Sequence, residues 1–156
     1  MSTIHPWERR IYIDTEFTDI AAPHLISIAM VSEDGHEFYG EVEEFDKESC
    51  SAFVRAHVLP QLGKYPECTM TRDALAEAAR DWMSKFSGSR QRPVICYDHP
   101  IDPQLLWELI GRKPVGWKEK LIHLRIDPVR REQYFSEHGG RHHALHDARA
   151  NRVAIL

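Results

Sequence analysis

The stretch of residues 11–18 constrains the fold of this chain more than any other part of the sequence. Its first three residues are β-branched or aromatic and favour a buried β-strand. Asp14 and Glu16 follow two positions apart, so on a strand their side chains lie on the same face. Two carboxylates side by side at the end of a buried strand repel each other unless a cation lies between them. The stretch therefore predicts a divalent-cation site, and ordinary surface acids after a strand are the alternative.

Length and composition indicate a single soluble domain spanning residues 1–156. The chain is 42% hydrophobic and 28% charged, as is usual for globular proteins. No apolar run is long enough to cross a bilayer, and residues 1–10 lack the apolar segment of a signal peptide. The three scattered cysteines argue against a disulfide framework or a cysteine-rich zinc site. We therefore expect a cytoplasmic protein with no membrane partner.

The charge is distributed unevenly along the chain. The formal net charge is −4, but residues 111–156 carry ten Lys and Arg against five Asp and Glu. This basic segment could face a phosphate backbone, and a solvated surface of mixed charge is the alternative. Six arginines are candidates for phosphate contacts: Arg125, Arg130, Arg131, Arg141, Arg149 and Arg152.

The order of predicted elements indicates an α/β fold. Three strands come first, joined by short connections that include an Asp-Gly hairpin signal at residues 34–35. Helices and strands then alternate. The predicted strands cover residues 11–18, 24–33, 37–45, 93–97 and 121–126, and the predicted helices cover residues 47–62, 71–87, 103–110, 129–137 and 143–156. This order predicts a mixed five-stranded sheet, with three antiparallel strands followed by parallel ones and helices on both faces.

Two further acids and a histidine are placed to join Asp14 and Glu16. Asp102 is predicted to cap the helix that follows the fourth strand, and Asp147 lies one turn into the last helix. Ligands gather at the carboxyl ends of parallel strands, so these acids are expected to converge there. His142 lies in a loop before the last helix, where a mobile acid or base is expected. A polar surface patch, or a zinc site that uses His142 and its histidine neighbours, is the alternative.

Taken together, these motifs resemble those of the DEDDh 3′→5′ exonucleases of the ribonuclease-H-like fold. The motifs are Asp14-x-Glu16, an Asp at 102 before a helix, and His142-x-Ala144-x-x-Asp147. The resemblance covers residues 11–156 and is greatest to the compact bacterial and phage exoribonucleases. It implies metal-dependent hydrolysis of nucleotides from the 3′ end of RNA.

The middle motif departs from the pattern of that family. The family often has Asn four residues before its Asp, and here that position is Asp98. Either Asp98 or Asp102 could therefore be the acid of the metal site. We favour Asp102, because an apolar helix begins directly after it.

The predicted chemistry assigns a role to each residue. Four carboxylates with hard oxygen ligands favour two Mg²⁺ or Mn²⁺ ions, held by Asp14, Glu16, Asp102 and Asp147. In this hypothesis Asp14 bridges both ions and His142 accepts the proton of the attacking water. The resemblance implies that Phe17 and Thr18 contact the 3′-terminal nucleotide, and core packing is the alternative for Phe17.

Three questions stay open at the level of sequence. The same chemistry could act on DNA, as in proofreading or repair, because no single residue reveals a contact with the 2′-hydroxyl. A nucleic-acid-binding module without catalysis is a second alternative, although binding alone does not need four acids and a histidine. The resemblance also suggests a homodimer, since many relatives are dimers.

Overall fold

The protein is represented by a computed structural model, which describes residues 7–156. Residues 1–6, which the predicted domain and the signal-peptide interpretation include, lie outside the described residues. Six strands form one sheet in the order β4-β3-β2-β1-β5-β6. The strands are β1 (Glu8–Phe17), β2 (Leu25–Ser32), β3 (Glu37–Val42), β4 (Thr69–Met70), β5 (Arg92–Tyr97) and β6 (Lys118–Leu121).

β1 occupies the centre of the sheet and pairs with a different kind of partner on each side. It runs antiparallel to β2, with Asp14 opposite Ala29, and parallel to β5, with Tyr12 opposite Cys96. β2 and β3 form the antiparallel hairpin that the Asp-Gly signal predicts. The predicted mixed sheet, with antiparallel strands first and parallel strands later, is therefore confirmed.

Two strands differ from the prediction. The sheet has six strands rather than five, because the two-residue β4 pairs with the end of β3 and is too short to produce a sequence pattern. The last strand is Lys118–Leu121 rather than residues 121–126. It is exposed along its whole length at the sheet edge, so it lacks the apolar run of a buried strand. A short 3₁₀ turn, His123–Arg125, occupies the predicted position.

Five helices accompany the sheet, largely as predicted. They are α1 (Ala52–His57), α2 (Arg72–Ser84), α3 (Ile101–Ile110), α4 (Pro128–His138) and α5 (Ala144–Ala154). The long helix predicted at residues 47–62 is instead α1 between two 3₁₀ turns, because Asp46 and Ser51 each cap a separate short segment. Thr71 caps α2 as predicted, through the Ala74 N–H. None of the helices within residues 7–156 combines the length and apolar character needed to span a membrane.

The alternation of β1 side chains determines which face carries the acids. Ile11 and Ile13 belong to the main core, which α2 and α3 cover on one face of the sheet. Tyr12 points to the opposite face and packs near Ile155, at the end of α5. Asp14 and Glu16 continue the Tyr12 series, so they lie on the face where α5 packs. The period-2 pattern of β1 therefore brings its two acids under the helix that carries Asp147.

Candidate metal centre

Five carboxylates form two groups that share Asp14. In the first group, three carboxylate oxygens lie within 4.8 Å of one another, one each from Asp14, Glu16 and Asp147. One oxygen each of Asp14, Asp98 and Asp102 satisfy the same limit. Asp14 and Glu16 lie on β1, and Asp147 lies on α5. Asp98 directly follows β5, and Asp102 lies in the first turn of α3. The structure therefore unites every acid that the sequence analysis selected, and it adds Asp98.

Burial and mutual repulsion raise the pKa of these acids. Burial raises the pKa of Asp14 well above its ordinary value, and the charges of Asp147 and Asp102 raise it further. Burial, followed by the charge of Asp147, raises the pKa of Glu16 to about 10. Asp102 and Asp147 also have raised pKa values, with burial as the main cause. Burial and repulsion therefore disfavour the ionised form of these carboxyls, and a nearby positive charge would stabilise it.

Asp102 occupies a different place from the one predicted for it. The sequence pattern predicts Asp102 as the cap of α3, but α3 begins at Ile101 and Asp102 lies in its first turn. Its Oδ1 atom accepts hydrogen bonds from the Thr15 N–H at 3.2 Å and the Thr15 hydroxyl at 2.6 Å. These bonds connect α3 to β1 and fix the Asp102 carboxylate beside Asp14.

Asp98 belongs to the same group as Asp102, so the choice between them is not exclusive. Asp98 follows β5 directly and is partly exposed, whereas Asp102 is buried. The Arg131 side chain donates a hydrogen bond from Nη1 to Asp98 Oδ2 at 3.3 Å. Both acids lie within reach of Asp14, and the preference for Asp102 as the metal-site acid stays a prediction. The sequence placed them four residues apart, but it could not show that the turn after β5 folds both towards β1.

The donors fit a hard divalent cation. All five are carboxylates, which favour Mg²⁺ or Mn²⁺ over zinc. Asp14 Oδ2 and Asp102 Oδ2 are buried and have no hydrogen-bond partner among residues 7–156. Buried polar atoms without a partner are uncommon, and a bound cation would satisfy these two. Asp14 belongs to both groups, so it is the residue that would contact two ions.

The His142 loop is fixed to the same cluster. The His142 N–H donates a hydrogen bond to Asp147 Oδ1 at 3.2 Å. His142 has a φ of 67°, a left-handed conformation that is uncommon for a residue other than glycine. The Gln61 side chain donates from Nε2 to the Arg141 carbonyl at 2.6 Å and holds the loop from outside. The strained backbone therefore places His142 directly beside the carboxylates.

Two aromatic side chains of α1 surround the His142 ring, and the sequence analysis did not identify them. The Phe53 ring lies edge-on at 4.8 Å from the His142 ring, and the His57 ring lies at 5.5 Å. Burial lowers the pKa of His142, and positive charge on His57 and the nearby arginines lowers it further. A lowered pKa keeps the imidazole neutral near pH 7, as a general base requires. Phe53 is 52% exposed despite its size, so its ring is accessible beside His142.

The other predicted residues differ in their accessibility. Phe17 is partly buried against the main core, and its substrate contact remains a prediction. Thr18 has an exposed fraction of 0%, and its hydroxyl accepts a hydrogen bond from the His24 N–H in the turn after β1. The Thr18 side chain therefore closes a turn in the free protein, and the predicted contact of Thr18 with substrate stays a prediction.

The structure does not support a histidine zinc site. His143 is buried and stacks on Tyr39 with ring centroids 4.8 Å apart, away from His142. His146 instead lies near the Tyr134 hydroxyl. Across residues 7–156, the groups able to hold a metal are the two carboxylate groups that share Asp14.

Divalent metal should stabilise the fold measurably. We expect Mn²⁺ at 100 times its dissociation constant to add about 2.7 kcal/mol of stability. For a chain of this size, that corresponds to a rise in Tm of roughly 5–10 °C. Differential scanning fluorimetry with Mn²⁺, Mg²⁺ or EDTA measures the shift. Asp98→Asn and Asp102→Asn should each reduce it, and Asp81→Asn, which changes an exposed acid on α2, is the matched control. An equal shift in all variants would contradict the assignment.

Comparison with known sequences gives a partial match. No protein-family model matches the chain. A protein described as a 3′-5′ exoribonuclease in two strains of Mycobacterium tuberculosis is 50% identical over 54 residues. The match covers 34% of this chain and 32% of the relative, so it spans about a third of the length of either protein.

Comparison with solved structures covers nearly the whole chain. The nuclease domain of 3′hExo, a DEDDh family member bound to rAMP, has a TM-score of 0.63 at 16% identity and covers 94% of this chain and 89% of that one. Cell-death related nuclease 4 has a TM-score of 0.59 at 15% identity over 94% of this chain and 62% of that one. Exonuclease I has a TM-score of 0.58 at 13% identity and covers 93% of this chain and 39% of that one. The chain therefore has the ribonuclease-H-like fold of these exonucleases.

Proposed function

We propose that this protein is a metal-dependent 3′→5′ exoribonuclease. The observation that carries the proposal is the pair of three-carboxylate groups that share Asp14, with His142 bonded through its backbone to Asp147. A binding module without catalysis would not need five converging acids beside a neutral histidine. The description of the partly matching relatives as 3′-5′ exoribonucleases supports the choice of reaction and of RNA.

The acids are suited to phosphodiester hydrolysis with two divalent ions. When bound, two such ions stabilise the negative charge that develops on the phosphate during in-line displacement. Asp14, Glu16 and Asp147 would hold one ion, and Asp14, Asp98 and Asp102 the other. Thr15 keeps Asp102 in position through two hydrogen bonds, so this ligand does not need to reorganise.

His142 would accept the proton of the attacking water at a ring nitrogen. Its lowered pKa leaves the ring neutral at neutral pH, and its backbone N–H is hydrogen-bonded to Asp147. The Phe53 and His57 rings restrict its movement. Phe17, at the end of β1, is proposed to pack against the last base, because stacking tolerates any base.

The same reaction on DNA is the second candidate. Exonuclease I, which shares the fold, has been solved with a dA13 oligonucleotide. The fold alone therefore does not separate the two substrates, and RNA is proposed on the names of the sequence relatives. A homodimer and a cytoplasmic location are also proposals. The three cysteines are unpaired in the structure, which supports a reducing compartment.

A degradation time course tests the function directly. Matched single-stranded RNA and DNA oligonucleotides, labelled at either end, are incubated with Mn²⁺, with Mg²⁺ or with EDTA. We expect 5′-labelled RNA to shorten in single-nucleotide steps, and 3′-labelled RNA to release labelled mononucleotide at once. EDTA should stop both. Faster degradation of DNA would favour the second candidate. Binding without degradation under any metal would replace the enzyme with a binding module.

A further inference from the structure

The structure distinguishes among the six C-terminal arginines that the charge distribution highlights. Five of them contact residues outside the metal centre. Arg149 pairs with Glu37, Arg141 with Glu132 and Arg130 with Asp127, while Arg125 and Arg152 donate to the carbonyls of Leu156 and Glu33. Arg131 is the member of this set that contacts one of the five carboxylates, and it does so through Asp98.

Arg131 lies beside the carboxylate group that contains Asp98. It lies on α4, and its Nη1 atom is 3.3 Å from Asp98 Oδ2. Its positive charge also lowers the pKa of Asp147, which belongs to the other group. Its side chain is 29% exposed and therefore partly accessible to solvent. Its Nε atom is buried and has no hydrogen-bond partner within the described residues.

This geometry leaves hydrogen-bonding capacity unused. A guanidinium has five N–H donors in a planar fork, and Asp98 takes one of them through a single contact. Carboxylates and phosphates both accept two parallel bonds from that fork. The donors that Asp98 does not use can bind an anionic ligand, and the phosphate of the proposed substrate is such a ligand.

We propose that Arg131 binds the non-bridging oxygens of a substrate phosphate and holds the 3′-terminal linkage against the carboxylates. This inference rests on the proposed function and adds a substrate-binding residue to it. Divalent ions on Asp98 would neutralise the present partner of Arg131 and free its donors. Arg131 therefore pairs with Asp98 in the free protein and with phosphate when a nucleic acid is bound.

The test compares Arg131→Gln and Arg131→Lys with Arg130→Gln. Arg130 is the next residue on the same helix and carries the same charge, but it contacts Asp127 instead. With saturating Mn²⁺, we expect Arg131→Gln to lower kcat/KM on RNA by roughly 10- to 100-fold, as for the loss of a charged hydrogen bond. Arg131→Lys should recover part of this loss, because it keeps the charge without the fork. Arg130→Gln should stay close to the wild type.

Binding measurements make the test independent of turnover. In a His142→Asn background, fluorescence anisotropy gives the affinity for a labelled RNA at several salt concentrations. Adding Arg131→Gln should weaken binding and reduce the salt slope by about 0.7, the value for one phosphate contact on a single strand. Mn²⁺ affinity, followed by the shift in Tm, should not fall, because the change removes a competing cation.

Two results would overturn the inference. An unchanged salt slope and kcat/KM in Arg131→Gln would show that Arg131 does not touch the substrate. A loss of Mn²⁺ affinity that accounts for the whole loss of activity would show that Arg131 only supports the metal site. If the wild type binds RNA but does not cleave it, the proposed function fails, and the salt slope still reports on Arg131. If the wild type does not bind RNA, both fail.

Discussion

Asp14→Asn should abolish the nuclease activity without damaging the fold. Asp14 belongs to both carboxylate groups, so its loss affects both proposed ions. Stabilisation of the reacting phosphate by metal is worth several kcal/mol, and each 1.36 kcal/mol is a factor of ten, so we expect kcat to fall by about 10³-fold or more. Asn has nearly the same shape as Asp and leaves no cavity. Single-turnover kinetics on RNA measure the loss, and Asp81→Asn is the control.

The stability of Asp14→Asn separates catalysis from folding. In EDTA the variant should be at least as stable as the wild type, because burial and neighbouring acids raise the pKa of Asp14. When a carboxyl has a higher pKa in the folded state than in the unfolded state, the protein becomes less stable as the pH rises between these two pKa values. The unfolded-state pKa is about 4. The advantage of Asn should therefore be larger at about pH 8 than at about pH 5. A variant that unfolds in EDTA, or that keeps its activity, would contradict this account.

His142→Asn should lower the chemical rate by about 10²–10⁴-fold, the usual contribution of a general base. Asn is chosen because it tolerates the left-handed backbone conformation at this position, so the loop is expected to persist. Binding of Mn²⁺ should remain, since the carboxylates are unchanged. The rate of the wild type should fall as the pH drops below the lowered pKa of His142. This fall in rate at low pH, the acid limb of the pH–rate profile, should be absent in the variant.

Two comparisons keep this prediction specific to His142. His36→Ala, which changes an exposed histidine in the β2–β3 hairpin, should have no effect on the rate. A loss smaller than tenfold in His142→Asn, with the acid limb intact, would mean that another group accepts the proton. Pre-steady-state rates between about pH 5 and about pH 8 measure both the size of the rate loss and the presence of the acid limb.

The sequence predicted that these acids lie close together, because they follow regular elements. Alternation along β1 placed Asp14 and Glu16 on one face, and the helical register of α5 placed Asp147 one turn inside that helix. These relations depend only on local periodicity. The convergence of three separate elements on Asp14 followed from the parallel arrangement of β1 and β5.

The errors arose where tertiary contacts outweigh the local pattern. Asp102 looked like a helix cap, but its partner is Thr15, 87 positions away in the chain. Thr18 adjoins the acidic motif, yet its turn buries it completely. The helix predicted at residues 47–62 breaks into short segments, and Phe53 in the middle segment lies exposed next to His142. No local signal reports such contacts between distant segments.

Anomalous X-ray diffraction from crystals soaked in Mn²⁺ tests the central claim most directly. The two carboxylate groups that share Asp14 predict two manganese peaks on either side of this residue, roughly 3.5–4 Å apart, as in other two-metal sites. One peak should contact Glu16 and Asp147, and the other Asp98 and Asp102. A single peak, or peaks at another position in the protein while these acids stay unliganded, would contradict a two-metal centre built on Asp14.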